Sequence, residues 1–186
     1  MARTPSTMID LGTVAPEFFL EDVTTGKWKS LKEIKGKRGT LVMFICNHCP
    51  FVKHINAELV KLGNEFPAKG IAMVAINAND VVNHPEDSPQ KMIEVARSLG
   101  YAFPYLYDET QEVARAYEAA CTPDFFLFDD NLRLVYRGQL DDSRPGNDVP
   151  VTGRDLRAAM SALVEGKVVS PVQRPSLGCN IKWKVI

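Results

Sequence analysis

Leu41-Val42-Met43-Phe44-Ile45-Cys46-Asn47-His48-Cys49-Pro50 carries an apolar run straight into two cysteines and a proline. Five consecutive apolar residues read as a buried strand. The segment after it repeats Val52, Ile55, Leu59, Leu62 and Phe66 at spacings of three and four, one apolar stripe of a helix. Two thiols therefore sit at a strand-to-helix junction. A cysteine in the first turn of a helix meets unpaired N–H groups and the positive end of the helix dipole, which favour thiolate over thiol. The sequence thus predicts Cys46 as the ionised, attacking thiol. Cys49 is expected on the same helical face, in reach of a reversible disulfide.

The pattern continues in both directions. Upstream, Phe18-Phe19-Leu20 and Lys27-Trp28-Lys29 flank a turn in which Gly26 supplies the permissive position, a hairpin pattern. Downstream, Gly70 releases a second buried strand over 71–76, and Ser88-Pro89 opens a helix with Met92, Val95 and Leu99 inward and Gly100 as its stop. Asp108 with Gln111 caps a short helix through Tyr117. Phe125-Phe126-Leu127-Phe128 and Leu132-Arg133-Leu134-Val135-Tyr136 form a hairpin across Asp-Asp-Asn, and Thr152 caps a last helix with Leu156, Met160 and Leu163 inward. This order predicts an α/β fold, a central mixed sheet with helices on both faces and an N-terminal hairpin, as a single domain over 1–186 with an arm at 1–11 and a tail at 170–186. Two polar insertions, 77–87 and 141–148, are long enough to carry function on such a scaffold.

With 186 residues, 45% hydrophobic and 24% charged, the chain has a full-sized core. A net charge of −1 offers no footprint for nucleic acid or an anionic membrane, and neither is expected as a partner. The opening Met-Ala-Arg-Thr-Pro-Ser-Thr-Met has no apolar leader core, and four cysteines are too few for a disulfide scaffold. A cytoplasmic location follows as an expectation, with the thiols catalytic or metal-binding rather than structural.

Cys-x-x-Cys-Pro at a strand end, Thr122-Pro123 immediately before Asp-Phe-Phe-Leu-Phe-Asp, and the opening Val14-Ala15-Pro16-Glu17-Phe18 together resemble the thioredoxin superfamily, in its peroxiredoxin-like branch related to alkyl hydroperoxide reductase. The resemblance runs from about residue 12 through the last helix. It implies a thioredoxin-like fold, a cis Thr122-Pro123 bond facing the cysteine pair, and backbone groups there that pair strand-like with a substrate cysteine. It implies a thiol–disulfide oxidoreductase with Cys46, Cys49, His48, Thr122 and Pro123 as site residues and no cofactor or metal. Its partners would be a protein or small-molecule disulfide or thiol and a thiol electron donor. His48, placed as in the strongly oxidising Cys-Pro-His-Cys proteins it is similar to, would stabilise a neighbouring thiolate.

Ile45 and Asn47-His48 depart from the Trp and Gly-Pro of thioredoxin itself. Aligning Cys49 with the peroxidatic cysteine of peroxiredoxins puts Val42 and Cys46 where Pro and Thr belong, and no arginine precedes Phe125. Disulfide exchange is therefore expected to outweigh peroxide reduction. The alternative is a peroxidase with Cys49 as peroxidatic cysteine. A zinc site, Cys46-x2-Cys49-x4-His54 completed by Cys121 or Cys179, is a reading from another class, and a non-catalytic binding module a third. Cys121 reads as a small buried residue. Cys179, in a tail expected to dock, is either a third exchangeable thiol or a packed anchor.

Overall fold

The computed structural model describes residues 3–186, which leaves residues 1 and 2 of the expected arm outside the described residues. Its centre is β4 (Gly39–Phe44), every residue of which is buried. A strand covered on both faces has no need of alternating polar residues, which is why it reads as a continuous apolar run. β5 (Ile71–Asn77) pairs parallel to it and β8 (Asp124–Asp129) antiparallel, with Val42 opposite both Val74 and Phe126. β9 (Leu134–Gly138) closes the β8 hairpin, and β6 (Tyr105–Tyr107), β2 (Phe19–Asp22) and β3 (Lys27–Ser30) extend the other edge. The mixed sheet runs β3-β2-β6-β5-β4-β8-β9.

Alternation along β4 divides the core. Leu41, Met43 and Ile45 pack with Val52, Ile55, Leu59 and Leu62 of α2 (Pro50–Glu65), Met92 of α3 (Pro89–Leu99), and Leu156 and Met160 of α5 (Arg154–Val164). Val42 and Phe44 pack on the opposite face with Leu31 of α1 (Leu31–Ile34) and Val113, Ala114 and Tyr117 at α4 (Glu112–Ala116). At about 25 cal/mol per Å² of apolar surface, these two layers supply the driving force that seats β4, and with it the loop leaving its end.

Several local expectations shift. The helix after the cysteines begins at Pro50, with Cys49 as its N-cap in an extended conformation (φ −67°, ψ 125°). Proline suits the first helical position but disfavours helix in the residue before it, so Cys46 to Cys49 stay outside the helix and do not share a helical face. In α3 the buried residues are Met92 and Ala96, while Leu99 is exposed. α5 starts after Gly153 in a left-handed conformation (φ 69°), not after a capping Thr152, because the buried Asp141 carboxylate accepts the N–H groups of both Thr152 and Gly153 at 2.7 Å. Gln111 rather than Asp108 is the N-cap of α4; Asp108 accepts the Ala114 N–H at 2.8 Å.

A second antiparallel sheet forms that no periodicity announces. β1 (Arg3–Pro5), β10 (Leu177–Asn180) and β7 (Cys121–Thr122) lie in the order β1-β10-β7, with Cys179 opposite Arg3 on one side and Thr122 on the other. Strands this short cannot carry a readable alternation. The tail is fastened beyond β10 as well: Ile181 is buried in the second core layer, and the Arg115 guanidinium lies over the Trp183 ring at 4.5 Å.

Candidate redox site

The loop Cys46–Cys49 leaves the end of β4 and is held from below by an aspartate that sequence reasoning passed over. Asp87, fully buried, accepts the backbone N–H of Asn47 at 2.8 Å and of His48 at 3.3 Å through one oxygen. Its other oxygen faces His48 Nδ1 at 2.5 Å and accepts Asn79 Nδ2 at 2.8 Å. Asn77 Nδ2 donates to the Asp87 carbonyl, Asn47 Nδ2 to the Glu86 carbonyl, and Tyr105 Oη to Asn47 Oδ1. The polar insertion 77–87 is thus the cradle of the cysteine loop. A buried carboxylate is tolerated because its lone pairs are filled this way. The signal in the sequence was the concentration of Asn and Asp in that insertion.

Around this cradle the predicted residues converge. Cys46 Sγ lies 3.4 Å from Thr122 Oγ1, and Cys49 Sγ lies 3.4 Å from the Thr122 carbonyl oxygen, to which its neutral thiol donates. The Thr122–Pro123 peptide is cis. His48 sits at the rim, its ring stacked on His84 with centroids 5.4 Å apart. The sulfur of Cys46, the His48 ring nitrogen and an Asp87 oxygen lie within 4.8 Å of one another. His54, required by the zinc reading, turns instead to Ser143, with Nε2 2.7 Å from its Oγ. The cluster of candidate ligand atoms is therefore Cys46, His48 and Asp87 and not the Cys-x-x-Cys-x4-His set of the alternative zinc reading. The second polar insertion, 141–148, packs on α2 through that His54–Ser143 bond and caps α5 through Asp141.

The third sulfur at the site comes from the tail. Cys179 Sγ is 2.7 Å from Cys49 Sγ. Cys46 is 2% exposed and Cys49 wholly buried, with β10 running alongside β7. The strand-like pairing that the family resemblance implies for a substrate at Thr122 is made here by the chain's own β10.

Charge is distributed unequally among these thiols. Cys49 is held down to about 5, first by the Cys46 thiol that donates to it, then by Cys179 and by the Val52 N–H in the first turn of α2, against the opposing effect of burial. Cys46 is pushed well up, because its proton is kept in the bond to Cys49, and by burial and the nearby Asp87 carboxylate. Burial and the same bond to Cys49 push Cys179 up to about 12. The stabilising donors thus converge on Cys49 and not on Cys46 as the sequence suggested, since the helix starts after Cys49. Cys121 is buried, its thiol raised by burial and by Asp124, and its Sγ contacts the Pro123 carbonyl at 3.6 Å.

A central mixed sheet, helices on both faces, and a cysteine pair set against a cis-proline turn define a thioredoxin-like protein. The thioredoxin domain of a thiol-disulfide oxidoreductase from Bacteroides vulgatus superposes with a TM-score of 0.59 at 22% identity, covering 69% of this chain and 88% of that one. Residues 11–137 match the profile described as the AhpC/TSA family, and the chain belongs to that family. An uncharacterised conserved protein of Geobacillus kaustophilus shares 57% identity and a TM-score of 0.98, covering 100% of this chain and 98% of that one. The thiol-disulfide oxidoreductase ResA of Halalkalibacterium halodurans is 29% identical over 124 residues, 67% of this chain and 65% of ResA, so the match spans just under two thirds of that relative.

Proposed function

We propose that the protein is a thiol–disulfide oxidoreductase that uses a reversible Cys46–Cys49 disulfide. The observation that carries this is the seating of both sulfurs against the cis Thr122–Pro123 turn, Cys46 and Cys49 each 3.4 Å from a Thr122 oxygen. The likeness to ResA supports the same reaction class. The Cys49 thiolate attacks one sulfur of a substrate disulfide, and the other substrate sulfur leaves and is protonated. Cys46 then attacks the Cys49 sulfur, closing Cys46–Cys49 and releasing the second substrate thiol, to which the Cys46 proton passes. Asp87, whose carboxylate lies beside Cys46, is placed to carry that proton. The substrate is a protein or small-molecule disulfide, and a dithiol donor resets the pair. A protein substrate that pairs with Thr122 must first displace β10.

The cytoplasmic location is part of the proposal, supported by sparing use of cysteine; among the described residues no helix is long and apolar enough to cross a membrane. The test is equilibration in a series of glutathione buffers followed by acid quenching and peptide mapping. A Cys46–Cys49 disulfide that forms and reopens with one midpoint is expected; a pair that stays reduced throughout would overturn the reading.

A further inference from the structure

Cys179 has three properties that a packed anchor does not need. Within the buried cluster that holds it, its sulfur meets the Cys49 sulfur at 2.7 Å. Its backbone stands opposite Thr122 in antiparallel register, the place a substrate cysteine would take beside the cis-proline turn. Its strand is also seated so closely that a Cβ on the neighbouring Gly178 would come within 2.0 Å of the Thr122 carbonyl oxygen, so glycine is what lets β10 approach. Ile181 and Trp183 beyond it hold this position from the far side.

Resting on the exchange reading above, we propose that Cys179 is a third redox-active thiol that forms a disulfide with Cys49. In the oxidised molecule the Cys179 sulfur attacks Cys49 Sγ, forming Cys49–Cys179 and breaking Cys46–Cys49. The proton lost by Cys179 ends on Cys46. One disulfide and one thiol are present before and after, so no oxidant or reductant is consumed. Cys49 is the common member because it is the sulfur that both Cys46 and Cys179 reach. The tail thus acts as an internal substrate: the disulfide moves from the cysteine loop to β10, and Cys46 is returned to the thiol state.

The experiment compares wild type with C46S and with the double variant C46S/C179S, each oxidised by glutathione disulfide, acid-quenched, alkylated and mapped. In C46S an intramolecular Cys49–Cys179 disulfide is expected, with loss of a pair of alkylatable thiols; C46S/C179S instead accumulates a glutathione adduct on Cys49. In wild type, partial oxidation yields both Cys46–Cys49 and Cys49–Cys179 linkages, which makes the test independent of how the variants fold. The inference is overturned if Cys179 is alkylated in every sample while Cys49 of C46S ends as the glutathione adduct. That failure is separate from failure of the exchange reading, which would show as a wild-type Cys46–Cys49 pair that never closes.

Discussion

Cys49 gains its acidity from position: it is the N-cap of α2, and the Cys46 thiol, the Cys179 thiol and the Val52 N–H donate toward its sulfur. Ultraviolet titration of thiolate in the reduced protein should therefore show one cysteine ionising near pH 5, against about 8.5 for an unperturbed thiol. The C49S variant should lose that step and C46A should shift it upward, since the strongest donor to the Cys49 sulfur is gone. An early step that survives in C49S would sink the assignment. His48 acts through Asp87: with the imidazole beside it, the carboxylate is compensated, and Cys46 feels less of its charge. Removing the ring by His48→Ala leaves that charge uncompensated beside the thiols, which destabilises the thiolate of the reduced form more than the neutral disulfide. A midpoint lower by about 30 mV, or about 1.4 kcal/mol, is expected in glutathione equilibration. An unchanged midpoint would make His48 a bystander.

At the scale of elements, the site depends on three very short strands. β7 offers Thr122 to the cysteines, and β10 closes over it only because Gly178 has no side chain. The obstruction facing an added Cβ is a backbone oxygen, which cannot swing aside as a side-chain tip would. Gly178→Ala should accordingly lift β10, cost about 1–3 kcal/mol in denaturant unfolding, and speed alkylation of Cys46 and Cys49 in the folded protein. Unchanged labelling rates would mean that β10 does not guard the pair. Behind the same turn, Asp124 at the start of β8 is raised to about 7, chiefly by burial. Its unfolded value lies near the ordinary aspartate value of 3.8, so the folded state holds a proton that the unfolded state has released between those values. This contribution to stability is complete below about pH 4 and is lost as pH rises through about 7. The stability difference between Asp124→Asn and wild type should therefore move in favour of the variant as pH rises from 4 to 7 and level off above it. Unfolding curves across that range check the slope, and a pH-independent difference would refute it.

For the whole molecule, membership in a family named for alkyl hydroperoxide reductase raises the question of which oxidant the thiols meet. Val42 is buried inside β4, paired between β5 and β8, and Cys46 is tied to Thr122 and Cys49, so neither offers the groups that would orient a peroxide. Loss of one stabilising donor typically costs about 100-fold or more in rate. Stopped-flow oxidation by hydrogen peroxide should consequently lag far behind reduction of a disulfide with the same donor. A peroxide rate constant near 10⁷ M⁻¹s⁻¹, roughly a tenth of the diffusional ceiling, would make this a peroxidase acting through Cys49.

The central sheet was legible because burial on both faces leaves an unbroken apolar run in β4 and β5, and α2 because its stripe repeats at helical spacing over four turns. The cysteine pair and Thr122-Pro123 could be picked out for the same local reason: their chemistry is written in adjacent residues. Asp87 could not, since an aspartate in a polar loop looks like any other until Asn47, His48 and Asn79 are folded onto it from 8 to 40 positions away. Nor could the register of the helix start be fixed by the stripe alone; Pro50 decides it and hands the N-cap to Cys49. The meeting of Cys49 and Cys179 across 130 residues joins the N-cap of a helix to a strand of four residues, with no periodicity to announce it. Hydrophobic period and local sterics are enough to specify the sheet, its helices and the thiol motif from residues near one another in the chain. Which sulfur bears the charge, and which sulfur faces it, depends on donors that chain closure brings together from far apart.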